Sequence, residues 1–315
     1  MAHAHHDHDH HAQHKKGGHS HDHAPADMGR AFAVGVVLNS IFVAVEVAAG
    51  FFTGSLALLA DAGHNLSDVL ALLLAWGAVA LAKRAPTARR TYGLRKATIL
   101  ASLTNAILLM LAVGAIVSES IQRFAQPATV STGIVMLTAG LGIIINTATA
   151  LMFMRGSQSD LNVRGAFLHM ASDAAVSLAV VIGAGLIALT GREWIDPLLS
   201  LGIAAVIVLG TWGLLKDSMN MALDAAPKGV DVGKVRDWLA GLPGVEEVHD
   251  LHIWAMSTTE TALTAHVIRP AIDDGDSFLH AACEGLAARF NIGHATLQVE
   301  RDAAHACKLA PAEVV

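Results

Sequence analysis

Residues 60–82, ADAGHNLSDVLALLLAWGAVALA, form a run long and apolar enough to cross a bilayer, yet the run carries Asp61, His64 and Asp68. About 20 predominantly apolar residues read as a spanning helix. An aspartate at the centre of such a helix costs ~2.5–3.5 kcal/mol on insertion scales, so ionisable residues there mark a functional site by default. His64 and Asp68 stand four residues apart, which stacks their side chains on one helical face. Far along the chain GAFLHMASDAAVSLAVV, residues 165–181, repeats that spacing with His169 and Asp173. Two helices that each offer one imidazole and one carboxylate at i, i+4 can enclose one ion with four ligands. A tetrahedral set of nitrogen and oxygen suits Zn²⁺ at ~2.0–2.2 Å. Such ligands bind metal as neutral imidazole and ionised carboxylate, so metal competes with protons, and that competition is a basis for exchange. Asp61 falls nearly on the same face one turn away, where it is expected to be solvated at the helix entry.

The whole composition agrees with a membrane protein. The 315 residues are 53% hydrophobic and 15% charged, with a mean hydropathy of +0.50, whereas soluble domains carry about 25% charged residues. Ala and Leu dominate and the aromatic share is 5%, which favours helices over a barrel of alternating strands. A net charge of −6 spread over the chain excludes nucleic acid as a partner. Two cysteines, Cys283 and Cys307, make neither a disulfide framework nor a zinc ribbon. Cys283 is expected to be a small core residue.

Six apolar runs are predicted to span, near 29–52, 56–82, 97–124, 129–154, 162–190 and 195–215. The second and third are joined by KRAPTARRTYGLRK, residues 83–96, with six Lys or Arg, and the fourth and fifth by MRGSQSDLNVR with Arg155 and Arg164. The positive-inside rule places these links and both termini in the cytoplasm. Ahead of the first run, where no secretory signal is evident, residues 1–27 carry ten histidines interleaved with Asp and Gly, a composition that cannot bury a core and reads as disordered. Such a tail either gathers metal weakly at the cytoplasmic mouth or is simply solvated. Glu46, Asn105 and Asn146 also lie in apolar runs. They line a wet pathway or tie neighbouring helices together. For the asparagines the second reading is preferred.

From about 217 the pattern becomes that of a soluble domain. VDVGKVRDWLAGLPG reads as a helix closed by Gly-Leu-Pro-Gly, VEEVHDLHIWAMS and ETALTAHVIRP as two strands joined by STTE, DSFLHAACEGLAARF as a second helix and HATLQVER as a third strand. The order αββαβ predicts a small α+β domain with helices on one face of an open sheet. The domains are therefore expected at 1–27, 28–216, 217–302 and 303–315. His249 and His252 have an odd separation, which in a regular strand sends them to opposite faces and not to one ion.

In SLALLADAGHNLSDVLAL, HMASD, VHDLHIWAM and TLQVE the sequence resembles the cation diffusion facilitators, in their zinc-efflux branch, over most of residues 29–302. The resemblance implies a homodimer of six-helix protomers with a ferredoxin-like cytoplasmic domain, in a membrane such as the bacterial inner membrane. It implies metal–proton antiport by alternating access through an intramembrane site, whose positions match His64, Asp68, His169 and Asp173. It further implies metal ligands in the cytoplasmic domain, with His249, His266 and Glu300 at matching positions and His280 on the expected helix. Gln298 stands where some members have histidine, and the loop at 83–96 lacks the His and Asp of a further site that some members hold there, so no metal is expected in that loop. His294, His305 and Cys307 are lesser candidates. Zn²⁺, with Cd²⁺ or Co²⁺ as alternatives, is the expected cargo. A membrane-bound metal sensor or delivery protein would keep its ligands in the soluble parts. A metalloprotease would show a pattern such as H-E-x-x-H, and four protein ligands leave no position for an activated water.

Overall fold

The computed structural model describes residues 26–154, 161–270 and 275–301. The readings made for residues 1–25, Arg155, His305 and Cys307 lie outside them. Six long helices come first: α1 (Ala26–Thr53), α2 (Leu56–Ala82), α3 (Ala97–Ala125), α4 (Thr132–Met154), α5 (Leu161–Thr190) and α6 (Ile195–Ala222). Each coincides with one apolar run. By length and composition α3, α4, α5 and α6 are able to cross a membrane among the described residues. Their outer surfaces carry exposed Leu111, Leu137, Leu189 and Leu209, as expected of helices that are apolar all round. The sixth helix continues past its apolar stretch to Ala222, because the polar turns that follow have good helix formers and no breaker before Pro227.

The centre of the bundle is built from small residues. Ala57 and Ala60 of α2, Ala139 of α4, Ala184 of α5 and Ala204 of α6 pack with Leu58, Leu109, Val135, Val180 and Ile207. Small side chains let helices approach closely where the apolar solvent itself supplies no drive to associate. The α1–α2 turn closes on Gly54, whose φ of +69° is the left-handed conformation that ends helices.

The N-terminus of α2 is capped from another helix. Asp196, in the first turn of α6 and buried, accepts from Ser55 Oγ at 2.5 Å, Leu56 N at 2.7 Å and Ala57 N at 3.3 Å. A carboxylate there satisfies amides left free by the helix and faces the positive end of its dipole. At the same end of the bundle Arg123 donates to the carbonyl of Gly54, and Val130 N donates to Glu193 Oε2 at 3.2 Å.

The C-terminal domain consists of α7 (Val232–Ala240), β1 (Glu247–Ala255), β2 (Thr261–Ile268), α8 (Gly275–Phe290) and β3 (Ile292–Glu300). The sheet order is β1-β2-β3, with β1 antiparallel and β3 parallel to β2. Val248, Ile253, Leu263 and Ala265 point to the face covered by Val235 and Leu239 of α7 and Leu286 of α8. Gly285 leaves room for the Trp238 ring, since a Cβ there would come within 2.4 Å of it. Cys283 is half-buried and so is not the buried core residue expected.

The domain docks on the bundle at the end opposite Asp196. Arg95 Nη1 lies 2.5 Å from Glu260 Oε1 in the β1–β2 turn, Lys96 Nζ lies 2.6 Å from Asp224 Oδ1, and Thr258 N donates to Thr98 Oγ1 at 3.1 Å.

Asp196→Ala should lower the stability of the bundle by about 2–4 kcal/mol, because hydrogen bonds to a charged group are worth ~1.5–3 kcal/mol and buried donors are left open. Asp196→Asn, which keeps part of the cap, should fall between. Thermal unfolding in detergent measures both, and wild-type behaviour of the alanine variant would remove the cap from the account of the fold.

Candidate functional site

Helices α2 and α5 run in opposite directions, so His64 comes level with Asp173 and Asp68 with His169. His64 Nε2 lies 3.4 Å from Asp173 Oδ1, and His169 Nε2 lies 3.2 Å from Asp68 Oδ2. Within each helix the i, i+4 pairs are 3.8 Å apart, and the two rings meet edge to face at 5.9 Å. A tetrahedron around an ion bound at ~2.0–2.2 Å has edges of ~3.3–3.6 Å, which these four separations bracket. His64, Asp68 and His169 each offer an atom within 4.8 Å of the others, and Asp173, outside that mutually close three, lies 3.4 Å from His64 and 3.8 Å from His169. Asp173 is buried, while the other three are half-buried. Both oxygens of Asp173 and Oδ2 of Asp68 have no hydrogen-bond donor among the described residues.

The half-buried side of this tetrad faces a cavity of about 350 Å³, whose walls include Asn105, Thr211 and Leu214. A second cavity of about 300 Å³ shares Ala71, Asn105 and Leu214 with it and reaches Thr258 of the C-terminal domain. The tetrad is thus approached from the end where that domain docks. The other side is sealed by polar residues that are wholly buried. Asn65 Nδ2 donates to Glu46 Oε2 at 3.1 Å, and Ser177 Oγ to Asp61 Oδ2 at 2.9 Å. Asp61 is therefore not solvated at the helix entry. Its carboxylate turns inward to α5, because the face it shares with His64 is the face that packs on that helix. Asn105 donates to Ser67 Oγ at 3.3 Å across α2 and α3, and it also lines the cavity.

In the C-terminal domain the open face of the sheet carries a second cluster. His249 pairs with His266 across β1 and β2, and His266 with Gln298 across β2 and β3. His266 Nδ1 lies 2.9 Å from Glu300 Oε1, and His249 Nε2 lies 3.5 Å from Glu300 Oε2. His249 is fully buried, and neither of its ring nitrogens has a hydrogen-bond partner among the described residues. Gln298 donates to Glu300 Oε1 at 3.0 Å. His280 stands apart on α8, exposed and 3.3 Å from Glu284 Oε1. Within one chain it does not join the cluster. His294 packs its ring on Tyr92 at 5.6 Å instead.

The parity expectation for His249 and His252 fails for a local reason. The register shifts between them, with His249 opposite His266 and His252 opposite Thr264. A β-bulge of this kind adds one residue to one strand, so both histidines reach the same open face. Asp250 sits in the bulge at φ +49°, a conformation that Asp tolerates better than most residues. Its carboxylate lies 2.7 Å from His252 Nε2 and 3.5 Å from His266 Nε2. Asp250 was not singled out by sequence, since bulges leave no signature in alternation.

A family model described as the cation efflux transmembrane domain matches residues 32–221, and one described as the cation efflux protein cytoplasmic domain matches residues 227–302. The chain is 38% identical to the cation efflux system protein CzcD of an Alcaligenes species over 284 residues, 90% of each chain. It is 38% identical to the zinc transporter ZitB of Escherichia coli, covering 91% of this chain and 92% of that one. It is 31% identical to the cadmium, cobalt and zinc/H(+)-K(+) antiporter of Bacillus subtilis, covering 90% and 92%. A solved structure, the metal-bound C-terminal domain of the CzcD transporter from Cupriavidus metallidurans, is 36% identical, covers 22% of this chain and 99% of that one, and has a TM-score of 0.22.

Replacing both His249 and His266 by Ala should lower the divalent metal retained by the chain at equilibrium, with His64, Asp68, His169 and Asp173 intact. Metal analysis after dialysis against buffered zinc reads the difference. Equal zinc in the variant and wild type would count against these histidines as ligands.

Proposed function

The chain belongs to the cation efflux family, and from that membership we propose that it is a secondary transporter exporting Zn²⁺ from the cytoplasm in exchange for protons. It is a transporter of metal cations and not an enzyme. The observation that carries the zinc–proton reading is the tetrad of His64, Asp68, His169 and Asp173, reached by a cavity from one end of the bundle and sealed at the other. Two nitrogens and two carboxylates suit Zn²⁺, and relatives named for zinc, and for cadmium, cobalt and zinc, support that choice of cargo with Cd²⁺ and Co²⁺ as alternatives. Ligands within the membrane bundle favour transport over a sensor or delivery protein.

The proposal includes six spans, α1 and α2 joining the four already apolar enough, with both termini in the cytoplasm of a cell whose inner membrane holds the protein. The domains are proposed at 28–216 and 217–302, so the last turns of α6 belong to the second. The αββαβ domain is read as ferredoxin-like, and as the seat of homodimerisation. His249, His266 and Glu300 are the metal ligands proposed for it, and His280 is left out of that set. In this reading the structure is the state open to the cytoplasm. A zinc ion enters as the site sheds protons, the bundle closes behind it, and reprotonation on the far side releases it. Histidine suits this exchange because its ordinary pKa of ~6.5 lies near cellular pH.

Asp173→Ala should abolish zinc movement in vesicles while insertion and dimerisation persist, because it removes the one ligand that is buried on all sides. An imposed pH gradient, acidic on the side to which zinc is delivered, should drive zinc against its own gradient in wild type. Wild-type flux in the variant would refute the site, and flux indifferent to pH would refute antiport.

His64→Asp keeps the i, i+4 geometry but substitutes a harder ligand and adds charge. Mn²⁺ prefers all-oxygen octahedral surroundings and stands below Zn²⁺ in affinity order, so the variant should carry Cd²⁺ or Mn²⁺ better relative to Zn²⁺. Competitive uptake in the same vesicles measures the ratios. Unchanged ratios in an active variant would mean that His64 does not set selectivity.

A further inference from the structure

The loop between α2 and α3 holds six cations and no histidine or acidic residue, and the metal chemistry uses none of it. Arg95 and Lys96 are paired with Glu260 and Asp224. Lys83, Arg84, Arg89 and Arg90 have no ion-pair partner among the described residues. The loop is nevertheless a built turn. Thr87 and Arg90 exchange two backbone hydrogen bonds of 3.0 Å, and Gly93 N donates to Arg90 O at 2.9 Å. Gly93 has φ +69°.

A cavity of about 430 Å³ lies between this turn, the first turn of α3 and the edge of the sheet. Its walls include Arg89, Arg90, Tyr92, Arg95, Leu100 and Trp254. Four cations line it, counting Lys96, against the two carboxylates of Glu260 and Asp224, so two positive charges are left over. The apolar helix α3 begins at Ala97, which sets the cavity at the boundary between membrane and water. Leu100 stands exposed one turn into that helix. The site therefore offers surplus positive charge, two aromatic rings and an apolar wall leading into the membrane.

We infer that this cleft binds the headgroup of an anionic phospholipid, with Arg89 and Arg90 on the phosphodiester and Leu100 against the start of an acyl chain. Arginine presents a planar fork that suits phosphate oxygens, and tryptophan and tyrosine favour the headgroup level of a bilayer. Because the cleft is walled by both the bundle and the sheet, a bound lipid also fastens the two domains together. The inference rests on the proposed topology, which gives this loop to the cytoplasmic leaflet, and not on the metal ligands. Free inorganic phosphate has the same headgroup chemistry but makes no use of the apolar wall.

The test places the full chain in nanodiscs of phosphatidylcholine with a minority of phosphatidylglycerol and counts lipids retained after detergent extraction by native mass spectrometry. Wild type should retain phosphatidylglycerol in preference to phosphatidylcholine. Arg89→Gln with Arg90→Gln should lower that preference about tenfold or more, since it removes charged donors to the phosphodiester, each worth on the order of tenfold. Lys83→Gln with Arg84→Gln, equal in charge but outside the cavity, should keep it. Equal loss in both double variants would overturn the site in favour of diffuse attraction. Inorganic phosphate bound as tightly as phosphatidylglycerol by the same samples would overturn the lipid as occupant, because the apolar wall would then contribute nothing. Zinc binding by the same samples reports on the tetrad separately: if it fails while the lipid preference holds, only the transport reading is lost.

Discussion

Two imidazoles and two carboxylates meet on a pair of antiparallel helices, and each is tolerable inside the bundle only because of the other three. Four such groups separately buried would each carry a desolvation cost of several kcal/mol. Placed 3.2 to 3.8 Å apart they offset one another's charge. That requirement fixes much else. Helices α2 and α5 must lie close, which the alanines of the bundle centre permit, and they must run in opposite directions so that each imidazole meets the carboxylate of the other helix. The side facing the cavity can be polar and half-exposed. The side facing Asp61 and Glu46 cannot, and there Glu46, Asp61, Asn65 and Ser177 are all buried.

The two ends of the bundle are held by different kinds of bond. At one, Asp196 is buried and accepts three hydrogen bonds at the head of α2, so parting α2 from α6 leaves a carboxylate and its donors unsatisfied. At the other, Arg95–Glu260 and Lys96–Asp224 are exposed ion pairs, which typically contribute ~0–1 kcal/mol each. The cavity that reaches the tetrad opens at the weakly held end. The location of the opening thus follows from which charges are buried and which are wet.

Much of this was legible in the sequence. The helices coincide with the apolar runs because a spanning helix is defined by length and composition alone. The tetrad was legible because i, i+4 spacing is a strict geometric statement, and two copies of His-x-x-x-Asp inside apolar runs make it specific. What escaped depends on contacts between elements. The inward turn of Asp61 follows from Ser177 on a helix more than a hundred residues away. The common face of His249 and His252 follows from a bulge at Asp250, and alternation assumes that bulges are absent. His280 was placed by analogy of helix alone, and its register carries it to Glu284. The basic loop showed its sign in sequence but not that it folds into a turn against the sheet.

The histidine cluster of the sheet and the tetrad of the bundle are connected by identifiable parts. The bulge is in β1, the β1–β2 turn bonds to Arg95 and Thr98, and α3 packs along α2, which bears His64 and Asp68. The strength of that connection bounds what it can do. Two exposed ion pairs contribute at most ~2 kcal/mol together, and changing a two-state balance from 1:99 to 99:1 needs ~5.5 kcal/mol. A metal on the sheet, acting through the ion pairs alone, can bias the bundle by a factor on the order of 30 at most. Occupancy of the tetrad faces no such limit, because it changes the charge balance of four groups inside the bundle itself. On the proposed reading the sheet therefore tunes the transporter and the tetrad gates it, and that division of labour follows from where each set of charges meets water.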